Sequence, residues 1–128
     1  MRVEDAWRAT KQWVPFAART AVFGSISCTL GPLTSDHRAS LWAMRTWCRQ
    51  SAEGLGFRIE VDGLEHVPRG AFVYCSNHQS ILDILVLGAV LPGDFKWAAK
   101  RSLWKIPFLG WHLRLAGHVP VERSRGAR

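Results

Sequence analysis

Asp83 is the residue that most constrains this chain. It is the only formally charged side chain between Arg69 and Asp94, and it lies between two apolar runs, Ala71 to Cys75 and Ile84 to Leu91. An unpartnered carboxylate among apolar side chains is expensive, so the fold must bring it a donor. His78 is the candidate, from the polar stretch Ser76-Asn77-His78-Gln79-Ser80. The first apolar run reads as a buried strand and the second as a buried helix. Five residues of α-helix turn through about 500°, which leaves positions 78 and 83 about 140° apart. The two side chains therefore meet only if His78 lies in a turn before the helix and Asp83 in its first turn. One imidazole nitrogen then donates to the carboxylate, and the other is left as a general base. Asn77 and Ser80 stand where they can cap the helix or touch a substrate, at a helix N-terminus that favours negative charge.

Plainer readings stand beside this one. His78 could simply cap the helix while Asp83 pairs with a distant arginine. Cys75 with His78 could form a thiol nucleophile, although Cys75 reads as the end of the buried strand. The chain contains no GxSxG elbow, HExxH helix or Gly-rich phosphate loop, the signatures of other nucleophilic, zinc and nucleotide chemistries. Cys28, Cys48 and Cys75 are odd in number and include no CxxC pair, so neither a disulfide framework nor a cysteine zinc site is expected. The default setting is reduced and cytosolic, and no metal is expected.

The 128 residues fit one small globular chain, 48% hydrophobic and 21% charged. Lys and Arg outnumber Asp and Glu 17 to 10, for a formal +7. Such a balance favours anionic partners: nucleic acid, an anionic membrane surface or a phosphorylated substrate. No basic–aromatic motif supports nucleic acid, which is set aside. Seven tryptophans fit either a membrane interface or the filling of a core.

Met1 to about Leu33 mixes bases with aromatics. From Val14 to Leu33 the only charge is Arg19. Length admits a transmembrane helix, but Pro15, Gly24, Gly31 and the Ser and Thr residues lower its hydrophobicity, so an interfacial helix is the first expectation. A cleaved signal peptide is disfavoured by Glu4 and Asp5. Gly31-Pro32 breaks the chain, and Ser35 or Asp36 can cap a second helix to about Ala52. One face of that helix carries Leu41, Met44 and Cys48, followed by Leu55; another carries Arg38, Trp42, Arg45 and Arg49. The second face suits a membrane or substrate surface, or is an ordinary solvated basic face. Residues 1–54 thus form a two-helix, membrane-associating hairpin, and residues 55–128 an α/β domain. Gly54-Leu55-Gly56-Phe57 matches the carboxylate loop of PDZ domains only superficially and reads as a helix stop. Strands are expected at Phe57–Val61, Ala71–Cys75, Phe95–Ala99 and His118–Val121, with helices between them and a central sheet.

Asn77-His78-Gln79-Ser80-Ile81-Leu82-Asp83 resembles the NHxxxxD signature of the glycerolipid acyltransferases, the family of 1-acylglycerol-3-phosphate acyltransferase. Lys100 to Gly110 is similar to the family's K-x-S-L-x-x-I-P-x-x-G segment. Gly117-His118-Val119-Pro120-Val121-Glu122-Arg123 resembles its G-x-I-x-I-D-R block, with Glu122 in place of Asp and Pro120 in place of an apolar strand residue. The likeness runs from about Phe57 to Arg123. It implies a glycerol-3-phosphate acyltransferase-like α/β domain. The implied reaction moves an acyl group from acyl-CoA or acyl-carrier protein, a donor substrate rather than a cofactor, to the hydroxyl of a lysophospholipid in phospholipid biosynthesis. By the same resemblance His78 is the general base, Asp83 orients it, Arg123 meets the acceptor phosphate with Lys100 as a weaker candidate, and the enzyme sits on the cytoplasmic face of the inner or cell membrane. The family's E-G-T-R-S-type motif and a later proline-containing segment have no counterpart before Arg128. The expectation is therefore an N-terminal part of such a domain, with the pair present and the acceptor site and sheet incomplete. The alternative is a catalytically inactive membrane-binding remnant.

Overall fold

The computed structural model describes residues 3–122. It is helix-rich, with one small sheet. Helix α1 (Val3–Leu30) is followed by a single 3₁₀ turn at Gly31–Leu33 and by α2 (Arg38–Gly54). The two helices lie antiparallel, because their contacts run in reverse order. Ser27 O accepts from Ser40 Oγ, the Phe23 ring meets Trp42, Trp47 Nε1 donates to Thr20 Oγ1, and the Phe16 ring meets Trp47. Gly31 is required at the corner, since a Cβ there would stand 2.5 Å from Ser40 Oγ and 3.2 Å from Leu115 Cβ.

Arg19, the charge that most weakens a membrane span, has its guanidinium over Gly54 at the end of α2. A cation is favoured there by the unpaired carbonyls of a helix C-terminus. No helix among the described residues is long and apolar enough to cross a membrane. Helix α2 begins later than expected and has no side-chain cap. Its N-cap is His37 in the left-handed region, φ 62°. Asp36 still accepts from the Arg38 amide, at 3.2 Å. His37 holds its position by donating from Nδ1 to Leu115 O at 2.8 Å.

The apolar face read from the sequence is the core. Leu41, Met44, Cys48 and Ala52 of α2 are buried with Leu85 and Ala116, and Phe57, Ile59, Phe95 and Trp97 pack around them. Helix α3 (Asp83–Val90) crosses α2 where Gly88 faces Cys48. A Cβ on Gly88 would lie 2.4 Å from the Cys48 sulfur. Burial pushes the Cys48 thiol up to about 12, so it stays protonated and acts as a small apolar side chain.

The sheet is smaller than expected. β1 (Ala98–Lys100) and β2 (Val119–Val121) pair in parallel, Ala99 opposite Pro120, and α4 (Leu109–Leu115) lies between them in sequence. Pro120 is tolerated because a proline strand residue needs only a side without a ladder donor. The expected strands Phe57–Val61 and Ala71–Cys75 are not strands. Both are irregular chain without a ladder among the described residues. The alternation of the first survives as half-buried Phe57 and Ile59 against exposed Arg58 and Glu60. The second faces solvent, Val73 being 89% exposed and Cys75 exposed. An apolar run supplies side chains for a strand, but only a neighbouring backbone supplies its ladder, and among the described residues none pairs with these two.

The sheet is joined to the helices by a group of histidines. Trp97 N–H donates to His118 Nδ1 at 3.1 Å, so the neutral His118 ring carries its proton on Nε2. His112 Nδ1 and Ser27 Oγ lie 2.7 Å apart, and the His112 and His118 rings meet edge to face. Lys96 donates to Ala116 O beside them. Burial lowers His112 to about 4. Burial, with the neighbouring His112, Lys96 and His37, lowers His118 to about 3.

Two outcomes follow from this packing. Both imidazoles are depressed below an unfolded value of about 6.5, so the unfolded chain takes up protons that the folded chain refuses. Stability is complete above about pH 6.5 and falls as pH drops toward the folded values, by up to about tenfold in the folding equilibrium per unit for each ring. Denaturant titrations at pH 7 and pH 5 check this, and equal midpoints would contradict it. Gly88→Ala should lower stability by about 1–3 kcal/mol through overpacking, and Cys48→Ala in the same chain should recover part of the loss.

Candidate active site

The site is built on one turn. Asp83 is the first residue of α3. Its Oδ2 accepts from the amides of Gln79 at 2.8 Å and Ser80 at 2.9 Å, and from His78 Nδ1 at 3.1 Å. Ser80 Oγ accepts from Leu82 N–H, and Ser80 O accepts from Asp83 N–H. The backbone of Gln79 and Ser80 thus folds back on the carboxylate, and the Ser80 hydroxyl makes the Ser turn that such a side chain favours before a helix. The Asp83 carboxyl is held below the usual carboxylate range, first by the Ser80 amide, then by that of Gln79, and then by His78.

Asp83 is therefore not the isolated buried charge suggested by its apolar neighbours. Its side chain is 30% exposed, and two backbone amides partner it alongside the imidazole. A carboxylate can only accept, so Nδ1 of His78 carries the proton and Nε2 has its lone pair available. The His78 side chain is 59% exposed.

Asn77 and Ser80 lie in the same turn, both exposed. Ser80 is spent on the turn itself. Lys100 closes β1, exposed and in register with Val121, outside the hydrogen-bond set around Asp83. Arg123 lies outside the described residues. Glu122, next to it, pairs with Arg101. Among the described residues no group of His, Cys, Asp or Glu could hold a metal ion.

Beside the turn is an open depression of about 590 Å³. Phe57 and Ile59 line one side, Leu82 and Val86 the other, and Arg58, Glu60, Ser80 and Asp83 complete it. The Gly56-Phe57 stretch contributes here as a wall.

Arg45 is the residue whose place the sequence misassigned. The helical wheel puts it on an outward basic stripe with Arg38, Trp42 and Arg49. In the fold it is half-buried; its guanidinium donates to Leu91 O and Gly93 O and lies over the Phe95 ring, 5.7 Å from the centroid. It fixes the far end of α3. The usable signal was Leu91-Pro92-Gly93, a turn whose carbonyls need donors that proline cannot supply.

Residues 58–128 match the family model described as Acyltransferase. The chain belongs to the acyltransferase family. It is 36% identical over 104 residues to the 1-acyl-sn-glycerol-3-phosphate acyltransferase of Saccharomyces cerevisiae, covering 81% of this chain and 34% of that protein. It is 28% identical over 129 residues to the enzyme of the same name in Pseudomonas aeruginosa, covering 98% of this chain and 50% of that protein. It is 42% identical over 71 residues to the 1-acyl-sn-glycerol-3-phosphate acyltransferase alpha of Ovis aries, covering 55% of this chain and 25% of that protein. The chain thus spans about a third to a half of the first two relatives. No solved structure matches it.

Removing the carboxylate tests the turn directly. In Asp83→Ala the Gln79 and Ser80 amides should lose their hydrogen-exchange protection while the α2 amides keep theirs. Unchanged protection at both would show that the carboxylate does not organise the turn.

Proposed function

We propose that this chain carries the catalytic pair of a lysophosphatidate acyltransferase of phospholipid biosynthesis. The observation that carries the reading is the His78 Nδ1 to Asp83 Oδ2 hydrogen bond at 3.1 Å, which leaves Nε2 as the basic nitrogen of an exposed ring. The names of the relatives supply the acceptor class. In this reading His78 Nε2 takes the proton from the acceptor hydroxyl as its oxygen attacks the thioester carbonyl of acyl-CoA or acyl-carrier protein. The carbon–sulfur bond then breaks, and the thiolate leaves with the proton from the imidazolium. No covalent acyl-enzyme and no cofactor is needed. Asp83 stabilises the imidazolium formed in between. Such a base contributes about 10²–10⁴ in rate.

Asn77 and Ser80 would stand at the acceptor's edge of the turn, and Lys100 and Arg123 are proposed for its phosphate. The depression lined by Phe57, Ile59, Leu82 and Val86 suits an apolar chain beside the pair. The hairpin is proposed to lie on the cytoplasmic membrane face, supported by exposed Trp13, Val14, Val22 and Trp42. A non-catalytic, membrane-binding role is the second reading, favoured by the two irregular segments next to the site that have no ladder among the described residues.

Thioester consumption with lysophosphatidate in lipid vesicles discriminates the two. The first reading expects turnover that His78→Ala reduces by about 10²-fold or more, with an unchanged melting temperature because the ring is exposed. Wild-type turnover in His78→Ala would sink it. Vesicle binding with no turnover in either protein would favour the second.

A further inference from the structure

The loop Lys105–Trp111 is exposed, apolar at its tip and held in a conformation that its own sequence resists. Ile106, Phe108, Leu109 and Trp111 are exposed. Phe108 has φ 61° and ψ −56°, a region that L-residues with a Cβ rarely occupy. Leu109 N–H donates to Pro107 O at 2.7 Å, which closes a γ-turn around Phe108, the strained three-residue form with positive central φ. The loop is pinned from below. Gly110 N–H donates to Ile106 O at 2.7 Å, and a Cβ on Gly110 would stand 2.2 Å from Trp104 O. The Phe108 ring, 58% exposed, leans on Trp111 with centroids 5.4 Å apart. Among the described residues the Trp111 contact is the one ring contact that offsets this backbone cost.

A second chain stretch adjoins the tip. Cys28, Trp111, Arg114 and Leu115 line one groove, and Gly31 packs on the Leu115 side chain, which sets exposed Leu30 and Leu33 beside α4. The end of α1 and the loop before α4, about eighty residues apart in sequence, thus share one apolar surface. Bases predominate around it, and Asp36, three residues after Leu33, is paired with Arg38. Between Lys96 and Glu122 the bases are Lys96, Lys100, Arg101, Lys105 and Arg114, and the single acid, Glu122, is paired with Arg101. Trp111 adds an amphipathic ring of the kind that settles at a headgroup boundary.

We infer that the Lys105–Trp111 loop is an insertion tip that docks this protein on an anionic phospholipid surface, with Phe108 entering the acyl region and Lys105 and Arg114 meeting the headgroups. It is a second anchor, distant in sequence from the N-terminal hairpin. It extends the reading above, in which the substrate resides in a bilayer, but vesicle binding reads it without turnover, so its failure leaves that reading standing.

The experiment is co-sedimentation of the full chain with vesicles of phosphatidylglycerol and phosphatidylcholine, and of phosphatidylcholine alone. Phe108→Gly removes the ring and fits the positive φ. It should raise or preserve the melting temperature while weakening binding to the mixed vesicles about tenfold or more. Lys105→Glu should weaken binding to the mixed vesicles and leave the weak binding to phosphatidylcholine unchanged. Binding of Phe108→Gly within twofold of wild type overturns the proposal. So does equal wild-type binding to the two vesicle types. A Phe108→Gly chain that melts lower and binds normally would assign the ring to the fold. Loss of self-association with normal vesicle binding would assign the face to a second copy.

Discussion

The close approach of α2 and α3 at Cys48 and Gly88 is the contact on which the site depends. A Cβ at position 88 would stand 2.4 Å from the sulfur, so an approach this close requires glycine opposite Cys48. It brings Leu85 into the core with Leu41, Met44 and Ala52, and it fixes the axis of an eight-residue helix too short to be stable alone. Arg45, one turn before Cys48, holds the other end by its bonds to Leu91 O and Gly93 O. With its middle and its C-terminal end both held by α2, α3 has one free end. That end is Asp83 and the turn wrapped on it.

The turn was legible in the sequence because it is local. The spacing of His78 and Asp83 permits one geometry, the polar Gln79 and Ser80 follow the histidine, and no distant partner is needed to close the hydrogen bonds. The helical hairpin was legible for the same reason: Gly31-Pro32 and the stripe Leu41, Met44, Cys48 are short-range signals. The expected strands Phe95–Ala99 and His118–Val121 overlap the observed β1 and β2, but their direct parallel pairing was not read. What failed was non-local. Phe57–Val61 and Ala71–Cys75 have the composition of strands, but a ladder belongs to two segments, and neither stretch shows whether its neighbour is present. Arg45 was placed outside because a wheel counts angles on one helix and cannot see the carbonyls that another loop presents. The His112–His118 pair joins α4 to β2 and to Ser27 on α1; no spacing in the sequence announces it.

The tryptophans divide along the same line. Trp47 and Trp97 are half-buried, with their indole nitrogens donating to Thr20 Oγ1 and Met44 Sδ. Trp13, Trp42 and Trp111 are exposed. The core reading of the aromatic excess thus holds for Trp47 and Trp97, while Trp13, Trp42 and Trp111 stay on the surface, and the division follows whether a neighbouring element offers the ring a partner.

The chemistry proposed for the pair rests on which group holds the Asp83 charge. A carboxylate whose low proton affinity came mainly from a protonated imidazole would lose that support whenever His78 became neutral. Here the Ser80 and Gln79 amides are the larger causes, with His78 contributing less than either, and an amide N–H does not titrate. Asp83 therefore stays ionised with the ring neutral, as a base must be before it accepts a proton, and with the ring charged, as it is after. The same two amides orient Oδ2 toward Nδ1, so the tautomer with Nε2 unprotonated is set before any substrate arrives. Preorganisation of this kind comes from the backbone of residues 79 and 80, and the Ser80 hydroxyl braces the same turn by accepting from Leu82 N–H. The spacing between His78 and Asp83, which lets these amides reach Oδ2, is therefore what the proposed chemistry requires first.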